Sequence, residues 1–155
     1  MYSWIVFLHV AGAFGFLLAH GVSVAVLLRL RTERKRDRIT TLLDLSSSSM
    51  TGFYASTVVL LAAGTLAGFV GNWWRMVWIW ASLGLFLAIA AAMYPLATAY
   101  LRRVRAAVGK RPSGAPMASD EEIDELLGSG RPVLIAVIGF GGLLVILWMM
   151  MFKPF

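Results

Sequence analysis

His9 and His20 are the only histidines of the chain, and both lie in the apolar run "FLHVAGAFGFLLAHGVSVAVLLRLR" at residues 7–31. Neutral imidazole is a common ligand for metals and haem. On a helix, the spacing sets the two rings about 20° apart around the axis and about 16.5 Å apart along it. They then share a stripe with Gly12, Ala13, Phe16, Ser23 and Leu27. A stripe of small, polar and aromatic residues is the face a membrane helix turns to other helices.

Counting from the inner membrane boundary places His20, Met93 and Tyr54 in one layer about 13 Å deep, with His9 nearer the outer side. Two chemistries fit. In one, neighbouring helices satisfy the imidazoles: Tyr54 bonds His20, and Ser82 or Thr65 bonds His9. In the other, His9 and His20 are axial ligands of haem b, with Met93, Tyr54 or a histidine of a second copy completing the set. Copper through His9 and the methionines of "MMMF" (149–152) is a lesser alternative.

Other chemistry lacks its parts. The chain has no cysteine, so disulfides, thiolate metal sites and iron–sulfur clusters are excluded. Two distant histidines do not make a catalytic zinc site. A Ser-His-Asp arrangement would need Asp44 to reach inward. The acidic run "DEEIDE" lacks the glycine and terminal glutamate of a calcium loop, and reads as a solvated face.

The elements that position these residues are membrane helices. Of 155 residues, 59% are hydrophobic and 14% charged. Apolar blocks near 3–28, 45–71, 76–100 and 132–152 are each long enough to cross a bilayer. The expected fold is all-α: a polytopic four-helix bundle forming a single integral membrane domain over 1–155. The first block has no basic residue before it and ends in "RLRTERKRDR", so it reads as an anchor, not a cleaved signal.

The net charge of +6 is a topology signal, not a nucleic-acid one. Arg29, Arg31, Arg34, Lys35, Arg36 and Arg38 follow the first block. Arg102, Arg103, Arg105, Lys110, Arg111 and Arg131 follow the third. Only Arg75 and Lys153 lie at the opposite end. This bias predicts both termini outside, with loops 29–44 and 101–131 in the cytoplasm. The tryptophans agree: "NWWRMVWIW" reads as an outer interfacial anchor, with an aromatic cage for a cationic or quinone-like ligand as the alternative.

The short "GNWW" turn predicts an antiparallel hairpin of the second and third helices. Pro95 predicts a kink near the inner end of the third. Ser119 and Glu122 form a capping-box pattern and Gly128 a stop. They predict a short amphipathic helix at 119–128, lying on the inner surface through Ile123, Leu126 and Leu127. The "SSSS" at 46–49 is expected to open the second helix, with Asp44 beside its N-terminus. The expected inward stripe of that helix is Ser47, Met50, Tyr54, Thr57, Leu61, Gly64, Thr65 and Gly68. "GTLAG" and "GFGG" mark close helix approach.

With "LLDLS" and "NWW", the opening run resembles a family of predicted bacterial integral membrane proteins of unknown function. That resemblance implies four membrane helices and no established activity. More distantly, the early "LH" is similar to copper-resistance D-type proteins and to the four-helix membrane protoporphyrinogen oxidase. The latter similarity implies haem binding at His9. That enzyme also needs a lysine deep in a later membrane helix, which this chain lacks.

The reading is an integral inner-membrane protein in a lipid bilayer, as a homodimer or part of a larger membrane complex, with no nucleic-acid partner. Its chemistry is a haem b- or copper-associated redox role through the first helix. The alternative is a small accessory subunit with no cofactor of its own.

Overall fold

The computed structural model describes residues 1–154. Six α-helices follow in order: α1 (Tyr2–Leu30), α2 (Arg36–Val70), α3 (Val77–Met93), α4 (Ala99–Val108), α5 (Asp120–Gly128) and α6 (Arg131–Phe152). A 3-10 turn at Trp73–Arg75 precedes α3, and a π turn at Tyr94–Thr98 joins α3 to α4. Four segments are long and apolar enough to span a membrane: α1, α2, α3 through α4, and α5 through α6.

Pro95 lies in the π turn. A proline has no N–H for the helix ladder, and a wider turn accommodates the break without ending the rod. Where a kink was expected, the structure has this π turn.

α1 packs along α2, and α3 packs chiefly on α6. The second and third spans are joined by a short turn, as expected, but their main contacts lie with other helices. Both chain ends meet at this turn: Trp73 Nε1 donates to the Tyr2 hydroxyl at 3.1 Å, and the Lys153 ammonium lies 4.2 Å from the Trp73 ring centre.

The structure lengthens α2 relative to expectation. It starts at Arg36, nine residues before the apolar block, because Ile39, Leu42, Leu43 and Ser46 put one face of "RITTLLDLS" against the protein. The "SSSS" run is therefore helix interior. Asp44 does not cap α2 or reach inward; it is exposed and pairs with Arg105 at 2.8 Å.

These extra turns build a hydrophobic core at the basic end of the bundle. Val26, Leu27 and Leu30 of α1 meet Ile39 and Leu43 of α2. Tyr100, Val104 and Val108 recur every fourth residue on α4 and join them, with Ile123 and Leu127 of α5 and Ile135 of α6. The helix at 119–128 forms with its capping box, Glu122 N donating to Ser119 Oγ at 3.2 Å and Ser119 N to Glu122 Oε2 at 2.8 Å. Its apolar face does not lie on a lipid surface. It closes the end of the bundle, where Leu127 is 0% exposed.

Ion pairs fix α5 to the α1–α2 connection. Arg36 meets Asp120 at 2.7 Å, and Arg34 meets Asp124 at 2.9 Å. The connection itself turns on Glu33. Its Oε1 accepts from the backbone N–H groups of Arg34 and Lys35 at 3.0 and 3.1 Å. The Lys35 N–H, and then the Arg34 N–H and nearby Arg38 and Arg29, hold its carboxyl below the ordinary glutamate range. A carboxyl lowered on folding contributes stability at neutral pH and loses it as pH falls through that lowered value. Glu33→Gln is expected to melt at lower temperature than the wild type at pH 7, and the difference should shrink on acidification. Thermal melts in detergent across pH 7 to about 3 check this; equal melting temperatures at pH 7 would contradict it.

Candidate functional site

α1 carries both histidines toward neighbouring helices, and each ring rests on a glycine. The His9 ring lies against Gly64 of α2, where an added Cβ would come 2.7 Å from Nδ1. Nδ1 is 2.9 Å from the Leu60 carbonyl oxygen. A carbonyl only accepts, so in the neutral ring this bond places the proton on Nδ1 and leaves the lone pair on Nε2. Ligating histidines in metalloproteins are arranged in this way, the second nitrogen bonded to a carbonyl.

The ring of His20 lies against Gly139 of α6, where an added Cβ would come 2.7 Å from Nε2. Its surroundings are phenyl groups. Phe16 stacks at 6.0 Å between centroids, Phe140 meets it edge-on at 5.4 Å, and Phe53 lies at 6.4 Å. Phe86 touches Phe16 at 6.0 Å. One layer thus takes an aromatic ring from α1, α2, α3 and α6. Within it, Nε2 of His20 is buried and has no hydrogen-bond partner.

The expected partners are elsewhere. Tyr54 is 64% exposed and turns away from His20. Met93 packs against the core at the basic end. His9 bonds neither Ser82 nor Thr65: Ser82 is buried without a partner, and Thr65 is exposed. So the structure does not bring Met93 or Tyr54 to either imidazole. The cause is the rotation of α2. Its contact face runs through Ser46, Ser49, Phe53, Ser56, Leu60 and Gly64, about one residue behind the expected stripe for most of its length. One residue is about 100° of rotation. Lipid accepts Phe or Leu as readily as a helix interior does, so hydropathy leaves that phase unset.

The close α1–α2 approach extends along the pair. An added Cβ on Gly12 would lie 2.7 Å from Leu60 N, and one on Gly15 would overlap Ser56. Serines join the same seam, with Ser23 Oγ 3.3 Å from both Ser46 Oγ and Ser49 Oγ.

The neutral His9 ring, oriented by its Leu60 bond, leaves Nε2 with a lone pair for a ligand. No group of three or more His, Cys, Asp or Glu that could hold a metal ion occurs among the described residues. The methionine run does not converge either: Met149 is buried and Met151 is 71% exposed. Sequence reasoning singled out His9 but missed its anchor, the Leu60 carbonyl, because a backbone acceptor leaves no residue signature. It also missed Phe53, Phe86 and Phe140. One ring per helix makes no periodic pattern.

A family model described as "Predicted integral membrane protein (DUF2269)" matches residues 3–154. No curated protein and no solved structure matches the chain.

The histidine–glycine contacts generate a packing prediction. Gly64→Leu and Gly139→Leu should each lower stability by roughly 1–3 kcal/mol, the usual cost of overpacking. Gly141→Leu, where an added Cβ meets nothing within 4 Å, should be close to neutral. Thermal melts of the three variants in detergent make the comparison; equal melts would reject the assigned faces.

Proposed function

Since the chain belongs to this family of integral membrane proteins, we propose that it sits in a bacterial inner membrane with both termini outside and presents His9 as a ligand for b-type haem. The observation that carries the reading is the 2.9 Å bond from His9 Nδ1 to the Leu60 carbonyl. It fixes the ring and its tautomer, and the free Nε2 is the atom a haem iron would take. His9 is seven residues into α1, about 10 Å along the helix from Tyr2, which sits at the end where the termini meet. A second axial ligand then comes from a second copy or from outside the protein, since Tyr54 and Met93 lie elsewhere.

His20 plays a packing role in this reading. Its phenyl neighbours and the Gly139 contact hold the α1–α2 pair against α3 and α6. The scatter of His20, Met93 and Tyr54 favours a second reading: a cofactor-free accessory subunit of a larger membrane complex. A reduced-minus-oxidised spectrum of purified protein, expressed with haem precursor and copper supplied, separates the two. On the first reading the wild type shows a b-type band, His9→Ala abolishes it, and His20→Ala keeps it with reduced stability. A colourless wild type that co-purifies with partner chains establishes the second.

The orientation rests on the concentration of basic residues beside α1, α2, α4 and α6 at one end, against Arg75 and Lys153 at the other. Cysteines introduced singly at Lys35 and Trp73 test it. An impermeant thiol reagent added to intact cells should label position 73 and spare position 35; the reverse pattern inverts the topology.

A further inference from the structure

At the end of the bundle where the chain termini meet, an aromatic cradle already holds a cation. Lys153 Nζ lies 4.2 Å from the Trp73 ring centre and 5.9 Å from that of Trp78, both within the range of a cation–π contact. The two indoles are 6.1 Å apart and inclined at 60°, so they offer two faces to one ammonium group. Three elements fix them. The Trp73 indole N–H donates to the Tyr2 hydroxyl of α1 at 3.1 Å. Trp73 belongs to the 3-10 turn, and Trp78 is buried at the start of α3.

Lys153 is placed there by the end of α6, which it closes in the left-handed conformation of a helix stop, its N–H donating to the Met149 carbonyl at 3.0 Å. Every acidic side chain of the protein lies in the segments 33–44 and 120–125, at the opposite end. Among the described residues, the Lys153 ammonium is met by indole faces and not by an acidic side chain. Ring faces attract a cation through the π quadrupole, and the arrangement suits organic ammonium groups, primary as in lysine or quaternary.

The geometry points to the Trp73–Trp78 pair as a binding site for organic ammonium groups, with Lys153 as its intramolecular occupant and the ammonium headgroup of a membrane lipid as its external ligand. Indoles of membrane proteins concentrate at headgroup level, where such a group is met. Arg75, exposed in the same turn and without an ion-pair partner among the described residues, supplies the charge to face the lipid phosphate. This site is independent of His9.

The test uses full-length protein carrying 5-fluorotryptophan, whose six tryptophans are read separately by fluorine NMR. Tetramethylammonium chloride is titrated in detergent against sodium chloride at equal ionic strength. In Lys153→Gln the Trp73 and Trp78 signals should shift saturably, while Trp4 and Trp148 stay fixed. In the wild type the midpoint should be about tenfold higher, because a tethered competitor acts at a high effective concentration. In nanodiscs, Lys153→Gln should show the shifted signals with phosphatidylethanolamine and no added cation, but not with phosphatidylglycerol. A linear response in Lys153→Gln, or equal shifts at all six tryptophans, overturns the site. Saturation by the free cation with no difference between the two lipids overturns the lipid as its ligand.

Discussion

Apolar helix faces gain nothing from one another inside a bilayer, because lipid chains are as apolar as leucine. That constraint divides the structure into two regimes. Along the spans, cohesion depends on close fit, which glycines permit: Gly12 on Leu60, Gly15 on Ser56, Gly64 on His9 and Gly139 on His20. At the basic end, apolar burial becomes effective again, because α2, at 35 residues and about 52 Å, exceeds a hydrocarbon core of about 30 Å. There Leu30, Ile39, Tyr100, Val104 and Leu127 are fully or almost fully buried. The hydrophobic core of buried residues therefore lies where ends of α1, α2, α4, α5 and α6 meet.

Both imidazoles follow from the close-fit regime. A ring seated on a glycine brings a polar edge against a neighbouring backbone, and what that backbone offers decides the ring's chemistry. Against α2 His9 finds the Leu60 carbonyl. Against α6 the Nε2 of His20 has no hydrogen-bond partner, Phe16 stacks on the ring, and Phe53 and Phe140 lie beside it. Two histidines on one stripe of one helix thus have unlike roles. The first is oriented by a hydrogen bond, and the second is a flat group within an aromatic layer.

Much of this was legible in the sequence where a residue type has one physical consequence. Four long apolar blocks give four spans, Pro95 interrupts the third, and Ser119 with Glu122 opens a short helix. Legibility failed where lipid and protein interiors accept the same residues. Phe53 and Tyr54 are adjacent aromatics, and the pattern favoured the polar one as inward; the structure seats Phe53 against Phe16 and leaves Tyr54 outside. Met93 failed for a related reason. Its depth was counted as if the third span were uniform, but it immediately precedes the π turn and packs with the lower core. The start of α2 was missed because "RDRITTLLDL" reads as a charged loop until α4 and α5 supply the surface that covers Ile39 and Leu43.

Charge distinguishes the two ends as packing distinguishes the middle from the base. α5 brings acids to the basic end, yet its ion pairs reach only Arg34 of the α1–α2 connection and Arg36, the first residue of α2. Arg29, Arg102, Arg103 and Arg131, at the margins of the spans, have no ion-pair partner among the described residues. The arginines at the margins of the spans are therefore left unpaired among the described residues, while the connection beyond them is held by salt bridges. At the other end no acidic side chain pairs with Lys153 among the described residues, and its ammonium lies over indole faces. Each end thus holds its cations by a different interaction, and the acidic α5 secures the fold without pairing the arginines at the margins of the spans.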